Sequence, residues 1–316
     1  MLNTDTMIFL LGAPRSGTTW IGKIFDSHPQ VLYRHEPDIK LNKSIIPYTC
    51  NDIEKYKAEA VLYTEDLAYG DDIRSIGKPP IFDKEYRNYL FSTVRKSGIY
   101  LLRYGASVIP ALNAVGIPDL ISAGQPRIVI KSVGALGRAG VFSAARPASH
   151  FIHILRHPCG HVGSVLRGNR MNKFSSTIPL GFEAAEIASQ YDISRAKLEA
   201  MTMLEQVAWR WVILNHKAML DLQGNPNAMT LVYEDLCAAP IDVSRRLFAF
   251  TGLDWNASSE AFLTSKKHSG EGNSYHSVFR DPFISANKWR EELKPEEIDA
   301  ITAIVANTVP GKLFYP

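Results

Sequence analysis

Apolar residues follow two rhythms along this chain. Four short runs are almost uninterrupted: Met7–Leu11 (MIFLL), Arg127–Lys131 (RIVIK), Phe151–Leu155 (FIHIL) and Met229–Tyr233 (MTLVY). Runs of that length read as strands buried on both faces. Elsewhere the spacing lengthens to three and four. Trp20, Ile21, Ile24 and Phe25 follow the first run at helical intervals. Leu204, Val207, Ala208, Trp211 and Leu214 do the same within Leu198–Leu222. Such stripes mark helices with one apolar face. Strands separated by helices predict an α/β fold, a central parallel sheet flanked by helices. Pro37–Gln125 interrupts this alternation, and we expect a mainly helical insertion there. No repeat or linker divides the chain, so residues 1–316 read as one domain.

The first strand leads into Gly12-Ala-Pro-Arg-Ser-Gly-Thr-Thr19 and then a helix. Strand, glycine-rich loop and helix make a phosphate cradle: backbone N–H groups point at the anion and the helix dipole adds positive potential. The fold expected is therefore P-loop-like. The loop is not a Walker A sequence, because Thr18 stands where that motif needs lysine. Its cation is Arg15. A kinase or nucleotide hydrolase is disfavoured for that reason.

Composition changes the picture in one respect. The 316 residues carry 35 Lys+Arg and 32 Asp+Glu, a formal charge of +3. That total points to no nucleic-acid partner. Yet no acid occurs between Asp119 and Glu183, while Arg127, Lys131, Arg138, Arg146, Arg156, Arg167, Arg170 and Lys173 all do. The stretch is +8 and the remainder −5. Charge of one sign running through strands is expected to line a site for a highly anionic ligand. Three dispersed cysteines (Cys50, Cys159, Cys237) form no metal-ligand pattern, and His35, His153, His157 and His161 fit no ligand set, so no metal is expected. The cysteine usage fits a reducing, cytoplasmic compartment. No apolar run is long enough for a membrane span, and no signal peptide is visible at the N-terminus.

Residues Gly12–Pro29 (GAPRSGTTWIGKIFDSHP) resemble the 5′-phosphosulfate loop of sulfotransferases that use 3′-phosphoadenosine 5′-phosphosulfate (PAPS). Arg156 at a strand end, followed eight residues later by Ser164, resembles the family's 3′-phosphate pair. Tyr233-Glu-Asp-Leu236 and Asn287-Lys-Trp-Arg-Glu-Glu-Leu293 resemble its third and closing segments, in the family's order. The resemblance implies PAPS as sulfuryl donor and a hydroxyl-bearing acceptor, a carbohydrate or small molecule. It assigns Arg15, Ser16, Gly17, Thr18, Thr19, Trp20, Arg156, Ser164 and Tyr233 to the cofactor, with Arg280 and Lys288 as further candidates. It places Arg15, Lys131 and Ser274 around the sulfuryl group. Cytosolic members carry Lys-x-His after the strand that resembles Arg127–Lys131. This chain reads Lys131-Ser132-Val133 and lacks the histidine. In tyrosylprotein and several carbohydrate members the base is a Glu after a His-Pro, and Glu36 stands at that place. Asp38 is the reserve. The same features favour a carbohydrate or glycolipid acceptor over small phenols. The acceptor surface is expected from Pro37–Gln125 and Arg170–Ala200, with tyrosines of the first stretch either stacking on it or forming core.

Overall fold

The computed structural model describes residues 2–39, 45–171, 185–265 and 282–316. Five parallel strands form one sheet in the order β2-β3-β1-β4-β5: β1 Ile8–Gly12, β2 Val31–His35, β3 Arg127–Ser132, β4 His150–Leu155 and β5 Ala228–Val232. Four of them are the apolar runs, displaced by a residue at most. The second, Val31–His35, was not read as a strand. It carries Arg34 and His35 at positions a buried strand usually fills with apolar side chains. Arg34 is nevertheless 1% exposed, because it donates to both carboxylate oxygens of Asp119 at 3.0 and 2.5 Å. A fully paired guanidinium can be buried where a lone one cannot.

Side chains alternate across the sheet. Phe9, Leu11, Ile128, Ile130 and Phe151 pack on one face, against α2 (Ile53–Ala68) and α4 (Ala139–Ala145). Ile8, Leu10, Val129, Ile152 and Ile154 pack on the other, against α1 (Thr18–Asp26), α9 (Tyr233–Ala238) and α10 (Pro240–Thr251). Both faces of each central strand are buried, which is why the runs are continuous rather than alternating. A third cluster joins α5 (Pro158–Arg170), α8 (Met203–Asp221), α13 (Trp289–Glu292) and α14 (Pro295–Val305). Short helices α6 (Ala185–Ser189), α7 (Arg195–Glu199), α11 (Ala257–Thr264) and α12 (Pro282–Asn287) complete the surround.

The described residues of 37–125 contain α2 and one long helix, α3 (Tyr89–Val108), with turns and irregular chain between them. The stretch is pinned to the body by cations: Arg34 to Asp119, Arg138 to the carbonyls of Ile46 and Pro47, and Arg146 to Thr64 Oγ1 at 2.9 Å. The chain leaves β1 toward β2 on one side and reaches β4 on the other only after β3. The C-terminal ends of β1, β3 and β4 therefore border a crevice, where open α/β sheets bind ligands.

Candidate active site

The loop after β1 turns into α1 through two left-handed residues, Arg15 at φ 74° and Gly17 at φ 81°. Gly17 has no room for a side chain, since a Cβ there would lie 2.1 Å from the Tyr233 ring. Tyr233 begins α9 directly after β5, and Trp20 meets its ring edge-on at 6.3 Å. Arg156 follows β4. Its guanidinium donates to the carbonyls of Arg15 and Ser285, both at 2.8 Å, and lies over Tyr233 at 5.2 Å. Ser164, on the second turn of α5, accepts from Arg15 Nε at 3.0 Å. The sequence pairs Ser164 with Arg156, whereas the structure bonds it to Arg15. All three side chains still border one space.

That space is a cavity of about 740 Å³. Arg15, Gly17, Thr18, Thr19, Trp20, Arg156, Ser164, Tyr233 and Lys288 line one end of it; Glu36 and Lys131 lie further along. Ser16 is buried behind the loop. Trp289 delivers Lys288 by stacking on His157 at 4.5 Å. Lys288 pairs with Glu292 at 3.1 Å. Ser274 and Arg280 lie outside the described residues. Asp38 does not line the cavity: its Oδ2 accepts from Ser132 Oγ at 2.7 Å behind β3.

Glu36 stands just past β2, in the left-handed region at φ 49°, with its N–H bonded to the Lys131 carbonyl at 2.7 Å. Lys131 Nζ donates to Glu36 Oε1, and Arg74 to Oε2 at 3.1 Å. Burial alone would push the Glu36 carboxyl up. The charge of Lys131 and these two bonds outweigh it, taking the pKa down to about 2. His35, aligned with Lys131 across β2 and β3, lies 4.0 Å from Glu36 Oε2. Burial and the Lys131 charge lower its pKa to about 3, so the ring is neutral. Its other nitrogen meets the Tyr33 hydroxyl at 2.9 Å.

Sequence reasoning missed the residues of the far wall. Arg74, Lys78, Arg103 and Asn113, all from the insertion, line it with Ile39 and Ile73. Lys78 makes no hydrogen bond or ion pair with the described residues. Burial lowers its pKa, and the positive charges of Lys131, Arg15 and Arg103 add to this despite Glu36. No spacing signals these positions, because the fold rather than a motif brings them here. The acid-free stretch is corrected in turn. Lys131, Arg156 and Arg167 reach the cavity, whereas Arg138 and Arg146 bind the insertion, Arg127 meets His150 and Arg170 pairs with Glu297. The insertion tyrosines are also absent from the lining. Tyr63 and Tyr86 are core, and Tyr89 and Tyr104 face solvent.

Residues 7–257 match the model of the sulfotransferase family. The chain is a member of that family. Among solved structures it is similar to the sulfotransferase domain from the curacin biosynthetic pathway, at 15% identity over 98% of each chain with a TM-score of 0.46. A mouse sulfotransferase complexed with PAP (3′-phosphoadenosine 5′-phosphate) shares 12% identity over 98% of this chain and 88% of that one, with a TM-score of 0.47. A sulfotransferase from Alicyclobacillus acidocaldarius shares 15% over 98% and 95%, at 0.44. No curated protein matches. Among the described residues of this sulfotransferase, no His, Cys, Asp or Glu group is arranged to hold a metal ion, and no helix is long and apolar enough to cross a membrane.

The donor end fits a phosphorylated nucleotide. Ser16 Oγ, Trp20 Nε1 and Arg156 Nε are buried polar atoms without a hydrogen-bond partner among the described residues, and such atoms are rare unless a ligand or water completes them.

Proposed function

We propose that this sulfotransferase transfers the sulfuryl group of PAPS to a carbohydrate hydroxyl, with Glu36 as general base. One observation carries the reading: a single cavity joins the phosphate loop, Arg156 and Ser164 to the Lys131–Glu36 pair. The donor supplies an activated sulfur on a phosphate leaving group. Ser16, Gly17, Thr18 and Thr19 would hold its 5′-phosphate, Arg156 and Ser164 its 3′-phosphate, and Trp20 and Tyr233 its base. Glu36 takes the proton of the acceptor hydroxyl as that oxygen bonds to sulfur. Arg15 and Lys131 face the charge that builds as the sulfur–phosphate oxygen bond breaks, which is where a fixed cation lowers the barrier. Positioning and charge do most of the work, as in phosphoryl transfer.

His35 stands beside this base, its Nε2 4.0 Å from Glu36 Oε2 and its Nδ1 engaged with the Tyr33 hydroxyl. Val133, at the place of the family histidine, offers no base.

The cations of the far wall favour a carbohydrate that also bears an anionic group, since of Arg74, Lys78 and Arg103 only Arg74 pairs with Glu36, the one acid of the lining among the described residues. Three buried free thiols favour a reducing compartment, the cytoplasm.

Two variants test the reading. Glu36→Gln should lose about 100-fold or more in turnover, the usual span of a base, while PAP affinity holds. Arg156→Ala should weaken PAP binding about tenfold or more, the worth of one charge-assisted contact. A fully active Glu36→Gln enzyme removes the base assignment. Unchanged PAP binding by Arg156→Ala removes the phosphate assignment.

A further inference from the structure

Helix α3 is 20 residues long yet buries only Arg95 and Ile99. Its charges all turn inward. Arg95 Nε donates to the Pro118 carbonyl at 3.0 Å, Lys96 pairs with Asp83 at 2.6 Å, and Arg103 donates to the Ile73 carbonyl at 3.0 Å. The outer face has no charge. Leu90, Val94, Ser97, Leu101, Tyr104 and Val108 run along it at intervals of four, three, four, three and four. Leu90 is 64% exposed, Leu101 71%, Tyr104 79% and Val108 73%. Uncovered apolar surface on this scale marks an interface, and the 4-3 spacing is that of a coiled-coil seam.

We infer that this seam pairs with the same seam of a second copy, the two α3 helices running antiparallel. Laid against itself about Ile99, the helix sets Ser97 opposite Leu101, Val94 opposite Tyr104 and Leu90 opposite Val108. Each of those three pairings puts a smaller side chain against a larger one, as interdigitating layers require. A parallel pair would instead set Tyr104 on Tyr104. The positions beside the seam include Gly98, which has nothing within 4 Å of where a Cβ would stand and lets the backbones approach. Tyr89, Tyr100 and Tyr104 are 88%, 50% and 79% exposed. At ~200 Å² for a buried aromatic, Tyr104 on the seam and Tyr100 beside it supply roughly 250 Å² of the ~800 Å² per partner of a standard interface. The aliphatic seam residues add to that. A lipid surface fits less well, because interfacial helices keep Lys and Arg free for anionic headgroups and those of α3 are engaged inward. Pairing also steadies the cavity. Arg103 holds the 73–77 turn, and Arg74 of that turn reaches Glu36.

Light scattering of the full chain tests the pairing. The wild type should show twice the 35.2 kDa chain mass. Leu101→Glu and Ser97→Lys should each show the single mass with unchanged circular dichroism and PAP affinity. Mixing them should restore the double mass, since the antiparallel register sets Glu against Lys. Tyr104→Ser provides a milder variant, with its dimer dissociating at least tenfold more readily. A single-mass wild type, a variant set that leaves the dimer intact, or a mixture that stays single overturns the proposal. So does a single-mass wild type that floats with anionic phospholipid vesicles.

Discussion

Two residues that favour right-handed backbone sit in the left-handed region at the cavity: Arg15 at φ 74° and Glu36 at φ 49°. Each such position costs on the order of 1–3 kcal/mol and persists only where the surroundings hold it. In the proposed reaction they are the leaving-group cation and the base. Glu36 also presents a difficulty: a carboxylate with a pKa of about 2 is a weak base. Lys131 is the main charge that depresses it, and the incoming sulfuryl oxygens compete for that same ammonium. Removing a cation from a carboxylate raises its pKa. The acid limb of kcat, which reports the loaded enzyme, should therefore lie at a higher pH than that of kcat/KM for PAPS. The free enzyme should keep Glu36 ionised down to about 2, and the loaded one should return it toward the ordinary ~4.3. Rate profiles with saturating and limiting donor check this, and coincident limbs would refute the release of Glu36 by donor binding. The stability linkage has the sign of a depressed acid. Its contribution is complete above the unfolded pKa and is lost as pH falls toward 2.

At the scale of elements, β2 ties the sheet to the insertion through Arg34 and Asp119. Removing one partner of a buried pair leaves the other charge unmet and costs about 3–5 kcal/mol, whereas replacing both with apolar groups is often near neutral. Asp119→Ala should thus lower the unfolding free energy by about 3 kcal/mol or more. Arg34→Met combined with Asp119→Leu should recover only part of it, because Arg95, 3.5 Å from Asp119, still loses its acid. Denaturant melts of the four proteins measure this, and additive losses would show that the pair does not act as a unit. The same pair explains why β2 was illegible as a strand. The four other strands announce themselves because both faces are apolar, whereas Arg34 and His35 become compatible with burial only through partners at positions 119, 131 and 33. The phosphate loop was legible because a strand, two glycines and a helix are contiguous. Arg74, Lys78 and Arg103 were not, being scattered over 30 residues of a stretch whose path follows from the Arg34, Arg138 and Arg146 anchors.

At the scale of the molecule, a formal charge of +3 conceals the organisation of the cavity. Arg15, Arg74, Lys78, Arg103, Lys131, Arg156, Arg167 and Lys288 line it, with Glu36 as the one acid of the lining among the described residues and Glu292 paired to Arg167 and Lys288. Only Lys131, Arg156 and Arg167 come from the acid-free stretch, so the field is assembled from the β1 loop, the insertion, β3, α5 and the closing segment together. Low-dielectric walls focus such a field and raise the local concentration of an anion. Salt shortens its range, from ~30 Å at 0.01 M to ~3 Å at 1 M. PAP affinity should therefore fall at least tenfold between about 0.05 and 0.5 M salt, most of the loss appearing in the association rate. Lys78→Gln should reduce that salt dependence although Lys78 belongs to the insertion and not to the phosphate loop, because it acts through the field. Stopped-flow titrations across salt concentrations separate the two rates. Binding indifferent to salt would mean that the eight cations are neutralised within the protein, and the far wall would then have no claim on an anionic acceptor.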